Sequence, residues 1–164
     1  KYLPEQGFSQ YEISNYAKPG KECRHNLNTW KMNDWIGYGP SASSQIKGIR
    51  RKNFSNINSW AEKLILDQSL DYEEWTEIGE LELARDAILF GLRMNQGINV
   101  NEICEKFIID PFLFSEIIAF LDALVNEELA TEEGNNYRLT NEGRIRCDAI
   151  ACELPELSTF VESN

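Results

Sequence analysis

Residues 112–140 read FLFSEIIAFLDALVNEELATEEGNNYRLT. Phe114, Ile117, Ile118, Leu121 and Leu124 recur at three- and four-residue spacing, which predicts an amphipathic helix. Beyond Glu128 the period changes. LATEEGNNYRLT reads as two short strands turning at Gly134-Asn135-Asn136. A helix that feeds a hairpin fits the bland reading of a compact helical domain with a hairpin. Thr140 then caps a closing helix, NEGRIRCDAIACEL, which Pro155 ends.

Working back from residue 112, Asp110-Pro111 punctuates the chain, and Pro111 suits the first turn of the helix that follows. Asn101 is expected to open a short helix carrying Ile103, Cys104 and Phe107. Thr76 is expected to cap a longer one through EIGELELARDAILFGLRMN, with Leu81, Ala84, Ile88 and Leu92 on its apolar stripe, Leu89 widening it and Gly97 as the stop. Asn58 or Ser59 would cap a helix carrying Trp60 and Leu64. Short helix, longer helix, hairpin and closing helix is the order of a winged-helix-like module. Such modules bind DNA through a basic second helix. Here that helix, residues 112–128, contains no Lys or Arg, so no nucleic-acid partner is expected.

The first part of the chain reads differently. Phe8–Ala17 carries the strand formers Tyr11 and Ile13 and ends at the turn Lys18-Pro19-Gly20. CRHNLNTWKMNDW, residues 23–35, reads as an irregular segment anchored by Trp30 and Trp35. The Gly/Pro/Ser run after Ile36 is a tight loop, and Gln45–Lys47 with Ile49–Arg51 reads as a hairpin around Gly48.

The chain has 164 residues, 42% of them apolar and 26% charged, which fits one globular domain or one domain with part of another. The net charge of −11 is uneven: residues 1–52 hold nine Lys/Arg and four Asp/Glu, a balance of +5, and residues 53–164 hold seven and 23, a balance of −16. The sign changes near Phe54, a compositional boundary. No run of about 18 apolar residues occurs, so no transmembrane segment is expected. No secretory signal opens the chain either, and four scattered cysteines without one fit free thiols in a reducing, cytoplasmic setting. The first residue is Lys1 rather than Met, and KYLPEQGF reads as the interior of a longer gene product.

Few residues could carry chemistry. His25 is the single imidazole, beside Arg24, and is either a metal or haem-iron ligand or a loop histidine bonded to backbone. Cys23, Cys104, Cys147 and Cys152 form no CxxC pair and no CxxxCxxC run, so neither a zinc site nor an iron–sulfur cluster is expected from them. Gly37-Tyr38-Gly39-Pro40-Ser41-Ala42 matches GxGxxA, but a dinucleotide site needs a helix next, and a hairpin is expected there. Glu12 and Asp34 are carboxylates whose pairing nothing in the sequence sets.

Three ordered stretches, YEISNYAKPG from Tyr11, HNLNTW from His25 and IGYGPSASS from Ile36, together resemble the HemW-type haem chaperones. These radical S-adenosylmethionine proteins are related to the oxygen-independent coproporphyrinogen III oxidase HemN. The downstream LEL-to-GLRMNQGI and NYRLTNEGR segments look like the family's C-terminal domain, so the resemblance covers this whole chain and the C-terminal half or less of a family member. It implies an α+β fragment. Residues 1–54 would be the terminal strands and loops of a radical SAM partial α/β barrel, and residues 55–164 a mainly helical, winged-helix-like C-terminal domain with a small β-hairpin.

The family pattern HNxxYW is linked to haem. It carries haem binding over to His25, as the iron ligand, and to Asn26 and Trp30; Thr29 stands where the family has Tyr. Gly37, Gly39, Ser41, Ala42 and Ser43 would lie near S-adenosylmethionine; many chaperones have histidine near the place of Ser43. The 4Fe-4S cluster of the intact proteins sits on an upstream motif, and this chain supplies no ligand to it. The resemblance implies haem or porphyrin as ligand and a haem-accepting protein as partner. Coproporphyrinogen oxidation and a plain interaction module are the alternative readings.

Overall fold

The computed structural model describes residues 2–66 and 71–157; Lys1 lies outside them. A single helical turn, α1 (Tyr2–Glu5), leads into a two-stranded antiparallel ladder of β1 (Ser9–Gln10) and β2 (Tyr16–Ala17). The turn between them is held from outside: Ile13 N–H donates to the Arg93 carbonyl at 3.1 Å and Asn95 N–H to the Tyr11 carbonyl at 3.1 Å. The strand expected over residues 8–17 is therefore two short strands with a bend at Ile13-Ser14. Helix α2 (Arg24–Trp30) follows. The irregular segment expected there is corrected by this helix. Asn, His and Thr are poor helix formers and Cys23 gives no side-chain cap, so local sequence argues against it. Trp30 packs on Phe90, a tertiary contact that outweighs propensity.

The chain next forms a separate unit, Asn33–Gly79. Strands β3 (Ser43–Ile46) and β4 (Ile49–Lys52) make the expected hairpin, with Ser44 opposite Arg51 and Ile46 opposite Ile49. Lys47 and Gly48 turn it at positive φ, 49° and 78°. Helix α3 (Ile57–Ile65) is capped by Asn56, whose Oδ1 accepts from the N–H groups of Asn58 (2.9 Å) and Ser59 (3.2 Å); the cap thus falls earlier than expected. Strand β5 (Glu74–Glu77) completes an antiparallel sheet in the order β3-β4-β5. Thr76 sits in β5 opposite Arg50, so it is not the cap of the next helix. The charge boundary at Phe54 falls within this unit.

From Glu80 onward the chain belongs with residues up to Met32. Helix α4 (Glu80–Gly91) ends six residues before the expected stop at Gly97. Gly91 has no room for a Cβ against Ile98, and Gly97, at φ 71°, has none against the Tyr137 carbonyl. Strand β6 (Ile98–Asn99) and helix α5 (Val100–Phe107) follow, with Asn99 rather than Asn101 as cap, accepting from Glu102 N–H at 3.2 Å. A 3-10 turn, Pro111–Phe114, leads into helix α6 (Ser115–Asn126). Strands β7 (Ala130–Glu133) and β8 (Asn136–Leu139) form the second expected hairpin, and the sheet order is β6-β8-β7.

Thr140 caps helix α7 (Asn141–Ile145) as expected, accepting from Gly143 N–H at 3.2 Å, but the closing helix breaks at Arg146 and resumes as α8 (Cys147–Glu153). Ile88, Phe114, Ile117 and Leu121 are fully buried and form the core of this unit. Burial of each contributes roughly 1.5–3 kcal/mol.

Candidate functional site

Helix α2 divides the histidine motif between two faces. At 100° per residue, His25 and Thr29 share one stripe and Asn26 and Trp30 another. His25 is exposed. The Thr29 hydroxyl donates back to the His25 carbonyl at 3.0 Å and so stays on its own helix. Asn26 and Trp30 point inward. Asn26 Nδ2 donates to the Tyr11 hydroxyl at 3.4 Å, and the Trp30 ring lies 5.6 Å from Phe90 with the Arg93 guanidinium 5.3 Å from its centre. Arg93 reaches Asp148 at 3.5 Å, and its Nε and Trp30 Nε1 are buried without a hydrogen-bond partner among the described residues.

Glu12 is fully buried. Its Oε1 accepts from Ser14 N–H at 2.8 Å and from Asn15 Nδ2 at 2.5 Å, so the carboxylate closes the β1–β2 turn; Oε2 has no donor. Asp34, in the other unit, accepts from Lys47 N–H at 3.0 Å and pins the β3–β4 turn. Both carboxylates serve backbone geometry.

The glycine loop uses its own donors. Gly37 N–H donates to Ser44 Oγ at 3.0 Å, Ser41 N–H to the Phe54 carbonyl at 3.1 Å and Ala42 N–H to the Gly39 carbonyl at 3.4 Å. Asn53 ties the loop from the far side through Nδ2 to the Gly39 carbonyl at 2.9 Å and N–H to the Ala42 carbonyl at 2.9 Å. A Cβ on Gly37 would collide with the Ser43 carbonyl, so glycine is required there. Ser43 is exposed and opens β3. A strand follows the loop, so no helix N-terminus is available to a pyrophosphate.

No protein-family model matches the chain. Its sequence is 30% identical over 148 residues to the haem chaperone HemW of Mycobacterium tuberculosis (strain ATCC 25618 / H37Rv), across 90% of this chain and 35% of that protein. It is 33% identical over 101 residues to HemW of Bacillus subtilis (strain 168), across 62% of this chain and 26% of that protein. The chain is homologous to the HemW haem chaperones. It spans about a third of the length of these relatives. Its fold matches Escherichia coli coproporphyrinogen III oxidase (HemN), a radical SAM enzyme, with a TM-score of 0.68 over 92% of this chain and 38% of that one. At 16% identity that likeness is one of fold alone.

In this HemW homologue the residues of the HNxxYW pattern and those of the glycine loop lie in different units. The cysteines do not fit an iron–sulfur cluster: Cys23 and Cys152 are exposed, Cys104 and Cys147 buried, and among the described residues no three His, Cys, Asp or Glu side chains converge. Burial pushes the Cys104 and Cys147 thiols up, which keeps them protonated and poor ligands. No described helix is long and apolar enough to cross a membrane.

Sequence reasoning did not find the cavity between β4 and α3. It is about 240 Å³ and is lined by Arg51, Phe54, Trp60, Lys63 and Tyr72 as well as Gly37 and Gly39. The one available signal was the alternation of β4, which sends neighbouring Arg50 and Arg51 to opposite faces.

Proposed function

We propose that this chain is the haem-carrying part of a HemW-type chaperone, with His25 as the iron ligand, and that it hands haem to an acceptor protein. The observation that carries the reading is the single histidine: it stands exposed on α2, on a stripe whose other member, Thr29, uses its hydroxyl internally. An exposed imidazole in that position would be available to ligate haem iron. Asn26 and Trp30 hold the helix from its other face. Their role is to position α2 through Tyr11, Phe90 and Arg93, and they do not form a wall beside His25. Homology to HemW supports haem as the cargo.

Under this reading the 4Fe-4S cluster and S-adenosylmethionine belong to the parent radical SAM protein. When bound, they would supply radical chemistry that this chain's cysteines do not support. Gly37, Gly39, Ser41, Ala42 and Ser43 would meet the cofactor by close backbone approach and through the Ser43 hydroxyl. The oxidase alternative rests on fold likeness to HemN alone.

The test is a titration of the chain with ferric haem, followed by the Soret band. His25→Ala is expected to abolish the Soret shift, whereas Trp30→Phe should keep it and lower stability instead. An unchanged spectrum in His25→Ala would overturn the ligand assignment.

A further inference from the structure

Arg51 has no counter-ion among the described residues. It lies on β4 opposite Ser44 on one side and Trp75 on the other, so its side chain shares the sheet face of those two residues. Its guanidinium stacks on the Tyr72 ring, 4.7 Å from the centroid. Its Nε is buried with no acceptor, and among the described residues Arg51 makes no ion pair. Neighbouring cations are compensated: Lys63 pairs with Asp71 at 2.6 Å and Lys52 with Glu74 at 2.7 Å. Arg51 is half-buried, and its guanidinium, fixed by the Tyr72 ring, is a pre-positioned cation for an anion. Its planar fork matches a carboxylate through two parallel hydrogen bonds.

The walls specify the rest of the ligand. Phe54, Trp60 and Tyr72 line the cavity with Tyr38, so it offers aromatic surface to a flat ligand; Asp71, which also lines it, is neutralised by Lys63 at 2.6 Å. At about 240 Å³ the cavity is smaller than the clefts of about 300–1,000 Å³ that enclose drug-sized ligands, so it takes an edge and not a whole macrocycle.

We propose that this cavity binds the carboxylate-bearing edge of a planar aromatic ligand, with Arg51 on the carboxylate and Trp60, Phe54 and Tyr72 on the ring. The inference rests on the haem reading above, under which the ligand is a porphyrin and the carboxylate one of its propionates. The site is independent of iron and therefore of His25.

The experiment titrates the full chain with metal-free protoporphyrin IX and, in parallel, with its dimethyl ester, following porphyrin fluorescence. The expected result is that Arg51→Met weakens binding of the diacid about tenfold or more and leaves the ester unchanged, the size of effect for a lost charge-assisted pair. Arg51→Lys, which keeps the charge and the fold, should fall between. His25→Ala should bind the metal-free porphyrin as the unaltered chain does. Equal loss for acid and ester, or no loss in either Arg51 variant while the unaltered chain binds, overturns the Arg51 assignment and leaves the haem reading intact. Failure of the unaltered chain to bind either haem or protoporphyrin overturns the haem reading itself. S-adenosylmethionine also joins a flat ring to a carboxylate, and stoichiometric displacement of the porphyrin by it would reassign the cavity to that ligand.

Discussion

Ile108 closes α5 in the left-handed region, at φ 54° and ψ 48°, while standing 86% exposed. A β-branched residue meets its own carbonyl there, at a cost of about 1–2 kcal/mol, and glycine would not. The next residue explains the turn: Ile109 N–H donates to the Cys104 carbonyl at 2.9 Å and the Ile109 side chain is buried, a helix ending that seals α5 against the core. Ile108→Gly should therefore raise stability by about 1 kcal/mol, seen as a higher urea midpoint at unchanged slope. His25 illustrates the same scale from the functional side. Its uniqueness was plain in the sequence, but its accessibility was not, because that depends on which stripe of α2 the rest of the unit covers.

At the scale of elements, β8 is the central strand of its sheet and carries Tyr137 into the core, 4% exposed. The hydroxyl donates to Asp122 Oδ1 at 2.8 Å. Burial first, and then that bond, push the phenol from 10.0 up to about 12. The folded state thus keeps a proton that the unfolded chain releases near pH 10, so stability falls as pH rises between about 10 and 12, by roughly 3 kcal/mol in all. Tyr137→Phe should flatten that part of the pH–stability profile relative to the unaltered chain. A profile of the same slope would show that Tyr137 does not control it.

Both hairpins were legible because Gly48 and Gly134-Asn135 sit between strand-forming residues. The helix starts were less so. Thr76 is a good cap by its chemistry, yet it pairs with Arg50 in β5, and strand pairing across 26 residues leaves no mark on the local sequence. The break at Arg146 was not legible either. Arg146 leaves the helical region at φ −100° and ψ 11°, and Gly143, in the turn before it, has no room for a Cβ against the Leu129 carbonyl.

For the whole molecule, the net charge of −11 and the absence of Lys or Arg on α6 set the long-range field. The chain should pass through a duplex-DNA column at low salt without retention. Retention would mean that the basic residues before Phe54 act independently of the acidic remainder.

Composition, the two hairpins, the apolar stripes of α4 and α6 and the ordered motifs that mark HemW kinship were all determined by the sequence. Each is carried by residues close together in the chain. Tertiary structure alone decided that HNLNTW is a helix, that it turns His25 outward and Trp30 inward, and that Arg51 meets Tyr72 and Trp60 at a cavity. Those outcomes depend on contacts between distant residues, such as Trp30 with Phe90 and Arg51 with Tyr72, whose packing energy outweighs local propensity and is not written in the sequence spacing.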